Sequence, residues 1–600
     1  MNNPRPAILV AFIVLIAGVL LTKLFLIQVA DDSFLKRAER NAIQRVVDHP
    51  YRGLVYDRND KLLVYNNPVF DLMIIPKEFT VKDTAKFCQL FKIEKEELID
   101  KYQAARKYSW VKPSPLMKAI SNAEFARIQD FLIDYPGLFV MTRSVRAYPQ
   151  ASAANALGYI GEISGNQLKA DSTRYYRQGD YVGLAGLERY YEDDLRGKKG
   201  VKYKMVNVRG IDKGSFKGGE YDTLSLAGKN IQSTIDLELQ LYGEKLMAGK
   251  RGSVVAIEPK TGEILSMISA PSYDPNILAG SRFGKNYGVL TMDETKPLFN
   301  RPIMAMYPPG SIFKVVQSLI GLQEGVLQTN TVFSCNQALV KCHPHPNPTN
   351  LFGAIKYSCN PYYHQAYRKM INREVSSNTF KDTQIGLDQW RESVMKFGLG
   401  QTLGIDMNNE KGGSIPSSAL YNRIYGEGRW KYSTIYSLSI GQGEMLVTPL
   451  QMANLAAIFA NKGWYYPPHL VKTIDGERAN IPEKFRTKVE VGIDAHHFDM
   501  VHDAMNEALM GTANRAIIKD IAIAGKTGTA QNPAGADHSV FVAFAPKEDP
   551  QIAIAVYVEN SGFGGRAAAS TASLMIEKYL RGHITRPALE DYVLAGKFLY

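Results

Sequence analysis

Three short stretches of this chain combine nucleophilic and cationic side chains at spacings that suit acyl transfer. Ser311 and Lys314 stand three positions apart. On a helix that spacing puts hydroxyl and ammonium on one face, within reach of each other. A serine hydroxyl is a weak nucleophile at neutral pH and needs an adjacent base. A lysine serves as that base when burial or a neighbouring cation strips its proton. By itself the pair says little, because an N-cap serine followed by an exposed lysine has the same spacing. Ser358-Cys359-Asn360 and Lys526-Thr527-Gly528-Thr529 change that. The three elements, in this order, form the signature of a serine acyl-transfer site.

The flanking sequence predicts how these groups are held. Pro308, Pro309 and Gly310 interrupt whatever precedes Ser311, and apolar residues at helical spacing follow over 312–323. Ser358-Cys359-Asn360 leads into a predicted helix over 360–370, and Lys526 follows a strand-like run at 521–524. Five strands are expected, at 253–258, 263–268, 521–524, 539–545 and 552–559, with a plain Pro-Lys-Thr-Gly turn joining the first two. Short connections between them argue for an antiparallel sheet with helices on its faces, an α+β architecture. The long helical insertion, with a further helix at 449–459, would carry Ser311 and Ser358 in front of the edge strand bearing Lys526. A last helix at 568–580 closes the domain.

At 600 residues the chain is too long for one core. Its composition, 45% hydrophobic and 22% charged, is globular. The formal net charge of +12 suits an anionic membrane or wall, and no stretch interleaves aromatic and basic residues as a nucleic-acid module would. Residues 7–22 carry no charge and the apolar run resumes after Lys23, so 7–29 is long enough to span a bilayer. A cleaved signal peptide is the rival, but its apolar core is normally shorter. Orientation is not fixed by charge, since Arg5 precedes the span while Lys36, Arg37, Arg40 and Arg45 follow it. The expected division is a tail at 1–6, a membrane helix at 7–29, an elongated α+β pedestal at 30–230 and an acyl-transfer domain at 231–600. Within the pedestal, 36–45 would extend the membrane helix, 52–60 and 62–65 form a hairpin, and 82–102 is the clearest helix.

Four cysteines are too few for a disulfide scaffold. Cys335, Cys342, His343 and His345 are metal-ligand types, but their spacing fits no standard zinc site. A Cys335–Cys342 disulfide, a metal and free thiols all stand open there, and the site reading assigns no metal. Cys359, beside the catalytic groups, is either a second nucleophile or a small buried filler. Asp537-His538 is read as a loop on the acceptor side with no acid–base role.

These motifs resemble those of class B penicillin-binding proteins, the elongation branch above all, and the likeness spans nearly the whole chain. Residues 52–60 are similar to the family's Arg-Gly-x-Ile-Tyr-Asp-Arg-Asn-Gly stretch, with Asp60 where glycine is usual. Gly186-Leu187-Glu188, Arg196-Gly197, 270–276 and Gly441-Gln442-Gly443-Glu444 match further family stretches. The resemblance implies a membrane anchor, a non-catalytic pedestal and an extracytoplasmic transpeptidase domain that needs no cofactor. It gives Ser311 as nucleophile, Lys314 as base and Ser358 as proton relay. Asn360 would hold substrate amides, and Lys526, Thr527, Gly528 and Thr529 would receive a terminal carboxylate. The backbone amides of Ser311 and Thr529 would form the oxyanion hole. Implied partners are peptidoglycan stem peptides, β-lactams and a polytopic membrane glycosyltransferase, with no nucleic acid. A division-specific transpeptidase and a membrane-anchored β-lactam sensor or scaffold remain alternatives. A β-lactamase would normally lack both anchor and pedestal.

Overall fold

The computed structural model describes residues 5–30, 43–206, 212–280, 282–338 and 340–599. Arg5–Phe25 is an α-helix that ends in a π-helical turn, Leu26–Ala30. Ala7–Gln28 has a mean hydropathy of 2.7 and buries nothing against the rest of the protein. At about 1.5 Å per residue it is long enough to cross a bilayer. It fits a single-pass anchor. Of the expected helical extension at 36–45, residues 36–42 lie outside the described residues. Ile43–Asp48 is instead a strand, paired with Gly200–Val206, as befits a segment containing Val46 and Val47.

The pedestal hairpin forms as Val55–Tyr56 against Leu62–Ile74, with Asp60 at a left-handed φ of 63° in the turn. The second strand is far longer than its sequence suggests. Pro68 did not stop it, because the partner strand Leu138–Ala147 pairs along its whole length. The expected helix at 82–102 is two helices, Thr84–Phe91 and Lys95–Tyr108, broken where Lys92 turns left-handed. Arg52 and Arg146, distant in sequence, meet at Glu188, which is 1% exposed. Its carboxylate accepts from Arg52 Nε and Arg146 Nε, both at 2.6 Å, while Arg52 also reaches Glu192. Glu188→Ala leaves two buried guanidiniums without their shared anion, so about 3–5 kcal/mol of pedestal stability should be lost. Calorimetry on the full chain should show the pedestal transition falling while penicillin binding at room temperature persists.

The pedestal and the acyl-transfer domain are sewn together. Ile231–Ser233 pairs in parallel with Val55–Tyr56 and antiparallel with Val471–Ile474, so one sheet draws strands from both sides of the 230/231 boundary. Arg58 reaches across to Glu258 at 2.7 Å, and Tyr191 donates to the buried Asp406 at 3.0 Å.

The expected antiparallel five-stranded sheet is present, in the order Ile264–Ala270, Gly252–Ile257, Ile552–Val558, His538–Ala545, Ala524–Ala530. Its strands are buried on both faces, which explains their nearly continuous apolar runs. Ala567–Arg581 covers one face together with Leu237–Met247. The helical insertion covers the other through Pro449–Ala460, which is buried throughout, and the helix Phe313–Gln323 packs within the same insertion with its first ten residues all buried. The edge strand starts three residues later than expected, at Ala524, and so carries Lys526 within it. His538 opens a strand and its Nδ1 accepts from Asn560 N at 3.0 Å, so it is a sheet residue and not part of a loop. Pro587–Ala595 adds one helix after the expected last one.

Candidate active site

Ser311 occupies a 3-10 turn, Gly310–Ile312, that feeds the buried helix Phe313–Gln323. The turn is fixed by backbone contacts that only glycines permit. Gly310 has a φ of +60°, and a Cβ there would stand 2.8 Å from Thr529 O. A Cβ on Gly528 would likewise come within 3.0 Å of Pro309 O. The serine turn therefore lies flush against the Lys526 strand. On its other side Gly310 N donates to Gly441 O at 2.9 Å.

Lys314 follows one turn later and is fully buried. Its ammonium donates to Ser358 O at 2.7 Å, Ser358 Oγ at 3.1 Å and Asn360 Oδ1 at 2.6 Å. These bonds tie the second motif to the first. Ser358 holds a left-handed φ of 54°, a conformation that a non-glycine residue keeps only where its surroundings impose it. Asn360 opens the helix Asn360–Ile371 and gives its Nδ2 to Lys341 O at 2.8 Å. In the free protein the Asn360 amide is thus engaged at both ends. Among the described residues no hydrogen bond joins Lys314 to Ser311 Oγ, and such catalytic bonds commonly tighten only with substrate.

Lys526 is also fully buried. Among the described residues it faces no carboxylate, and its ammonium reaches only Thr527 O, at 3.2 Å. Thr527 Oγ1 donates to Thr512 Oγ1 at 3.1 Å, and Thr529 Oγ1 accepts from Gly564 N at 3.5 Å. Gln442 Nε2 donates to Thr529 O at 3.1 Å and braces the strand from the opposite side. The sequence places Gln442 in a family-like stretch without giving it a role at the site, and it carries no signal for Thr512.

Burial pushes Lys314 down to about 8, against a smaller opposing pull from the neighbouring Cys342 and Cys359. Burial, with the charge of Lys314 added to it, holds Lys526 well below the ordinary lysine range. The expected repulsion between the two cations is present but falls on Lys526. A site built this way favours a neutral amine beside the serine and gains when an anion arrives at Lys526.

Behind Ser358 lies a second cluster. The ligand atoms of Cys335, Cys342, His345 and Cys359 all lie within 4.8 Å of one another. His343 is not among them, and its ring stands 5.7 Å from that of His345. None of the four cysteines is in a disulfide. His345 Nδ1 lies 2.8 Å from Pro346 O, which can only accept, so Nδ1 carries the proton and Nε2 a lone pair. Nε2 is buried without a hydrogen-bond partner. Cys342 is pulled down toward thiolate chiefly by a hydrogen bond from Cys359, whose own thiol is pushed up by that bond and by burial. Three thiols and an oriented imidazole fit a structural zinc set. Sequence spacing missed it because Cys359 comes from another motif.

Comparison with known proteins agrees with this architecture. The penicillin binding protein transpeptidase domain matches residues 252–577, and the penicillin-binding protein dimerisation domain matches 47–233. The peptidoglycan D,D-transpeptidase MrdA of Acinetobacter baumannii is 30% identical over 571 residues, covering 90% of this chain and 81% of that protein. MrdA of Escherichia coli K12 is 30% identical over 591 residues, covering 93% and 91%. The crystal structure of Pseudomonas aeruginosa PBP2 in complex with WCK 5153 is 28% identical with a TM-score of 0.63, covering 90% of this chain and 97% of that one. The complex of PBP2 and MreC from Helicobacter pylori shares the fold at a TM-score of 0.73 and 24% identity, covering 90% and 100%.

Proposed function

Because the chain belongs to the penicillin-binding protein transpeptidases, alongside the D,D-transpeptidases named MrdA, we propose that it cross-links peptidoglycan stem peptides during cell elongation through an acyl-enzyme on Ser311. The observation that supports this most directly is Lys314, fully buried one turn after the serine and bonded to both Ser358 and Asn360. Neutral Lys314 takes the Ser311 proton as Oγ attacks the carbonyl of the penultimate D-alanine. The Ser311 and Thr529 amides hold the developing oxyanion, where each such donor is worth about 3–4 kcal/mol. Ser358 passes the proton to the departing D-alanine nitrogen, and the C–N bond breaks. An amine of a neighbouring stem peptide then attacks the ester and frees Ser311. Lys526, Thr527 and Thr529 receive the terminal carboxylate, with Gly528 keeping the strand close to the serine. β-Lactams acylate the same serine because they present a strained amide and a carboxylate in the same places.

In this reading residues 1–6 are a cytoplasmic tail, 7–29 the inner-membrane anchor, 30–230 the pedestal and 231–600 a periplasmic transpeptidase domain. A polytopic glycosyltransferase of the elongation machinery contacts the anchor and pedestal. The test is to supply the purified full chain with uncross-linked glycan strands. Cross-linked stem-peptide dimers and free D-alanine should appear together, and benzylpenicillin should abolish both. Bound drug without cross-links under any condition would favour a sensor.

The cluster behind Ser358 supports one addition. Zinc held by Cys335, Cys342, His345 and Cys359 would fix the backbone between Ser358 and Asn360 and supply no chemistry to the acyl transfer. The full chain should contain about one zinc by elemental analysis. His345→Ala should lower metal affinity by about 10–100-fold or more. Metal-free full chain that keeps the parental melting temperature would end this reading.

A further inference from the structure

The pedestal holds a half-open cleft of about 490 Å³ that the reaction does not use. Its walls come from the strand Ile43–Asp48, the loop at 171–180 and the residues leading into the strand Gly200–Val206. Five of the lining side chains are cationic, namely Arg45, Arg174, Arg177, Lys198 and Lys199, and one is a carboxylate, Asp180. Asp180 is already used, since it pairs with Lys199 and accepts from Arg177 N. Arg45, Arg174, Arg177 and Lys198 are exposed, and none of them makes an ion pair among the described residues. By contrast, neighbouring cations are neutralised, Arg143 by Asp71 and Arg196 by Asp193.

The loop that brings two of these arginines to the cleft is built. Asp171 accepts from Thr173 N at 3.0 Å and from Tyr176 N at 2.9 Å, which pins both ends of the tip. Arg174 is held between them at a left-handed φ of 53°, a conformation that recurs at ligand clamps. Tyr175 closes the floor, its ring 4.5 Å from Lys199 Nζ and its hydroxyl on Gly197 O. Four like charges in one cavity repel, and a fixed loop keeps them there. That arrangement suits an anion of more than one charge, and arginine forks suit phosphate oxygens. The apolar helix ends at Ala30 and the cleft strand begins at Ile43, so the chain between them reaches at most about 45 Å. The cleft therefore lies within about 45 Å of the end of the apolar helix, near enough for a lipid phosphate to be one source of such an anion.

We propose that this cleft binds a phosphate-bearing anion of two or more charges, presented by a lipid headgroup or by a soluble diphosphate. The test uses the full chain in zwitterionic detergent, first acylated with benzylpenicillin so that Lys526 is not the anion site. Inorganic pyrophosphate, dihexanoyl phosphatidic acid and dihexanoyl phosphatidylcholine are titrated calorimetrically. One equivalent of pyrophosphate or phosphatidic acid should bind and phosphatidylcholine should not, with affinity falling as salt rises. Tighter binding of phosphatidic acid assigns the site to lipid headgroups, and tighter binding of pyrophosphate assigns it to a soluble anion. The combined R45Q, R174Q, R177Q and K198Q variant should bind at least 30-fold more weakly while acylating at the parental rate. Should that variant fail to fold, R174Q with R177Q alone should weaken binding at least fivefold. No saturable binding of either phosphate, or unchanged affinity in the variants, overturns the proposal.

Discussion

A full chain carrying Ser311→Ala gains no mass on incubation with benzylpenicillin, whereas the parent gains one drug equivalent. The serine side chain is partly exposed on a turn whose shape comes from Gly310 and its contact with Thr529. Losing the hydroxyl therefore leaves the turn, both lysines and the neighbouring amides in place. The loss should be about 10⁴-fold or more in acylation rate, because the remaining groups have no nucleophile to activate. The variant should also melt where the parent does, since Ser311 Oγ contributes no hydrogen bond to the fold among the described residues. Intact-protein mass spectrometry reads the outcome directly. An adduct that survives the substitution and maps to Cys359 would make that thiol the nucleophile. Cys359 is fully buried and its thiol is pushed up, which argues against it.

The parts of this site that were legible in the sequence are those where chemistry and local structure share a few consecutive residues. Ser311 with Lys314, Ser358 with Asn360, and Lys526 through Thr529 each lie within one turn or one strand, and the fold brings the three together. The strands of the main sheet were legible for a similar reason, because burial on both faces leaves unbroken apolar runs such as 552–558. What could not be read is what distant segments do to one another. Pro68 looks like a strand breaker, yet the pairing of Leu62–Ile74 with Leu138–Ala147 carries the strand through it. Gln442 is an ordinary glutamine until the fold sets it against Thr529. The thiol cluster is the clearest case. His343 and His345 are equivalent by spacing, and only the path of the loop selects His345 and recruits Cys359 from the catalytic motif.

Lys314→Met should slow acylation by about 10²–10⁴-fold and also reveal what the buried amine costs the fold. With its pKa pushed down to about 8, Lys314 is mostly protonated at pH 7 and mostly neutral by pH 9. Acylation of the parent should therefore rise about tenfold per pH unit below 8 and level off above it. The methionine variant, which has no base, should show only a flat residual rate, about 10²–10⁴-fold lower at the plateau. The stability effect has a definite sign. A lysine whose folded pKa is depressed binds fewer protons folded than unfolded between that pKa and 10.5, so stability rises with pH over this window. Below pH 8 the burial cost is present in full, and above 10.5 it is gone. The fall from 10.5 to about 8 corresponds to about 3 kcal/mol. Denaturant titrations of parent and variant should accordingly show the parent gaining on the variant by about that amount between pH 7 and 10.5. The difference cancels the burial of Lys526, which is common to both proteins, but not the part of its lowering that the charge of Lys314 supplies. A parent and variant that keep a constant gap across this range would mean that Lys314 holds its proton in the free protein. The base would then have to be created by substrate binding.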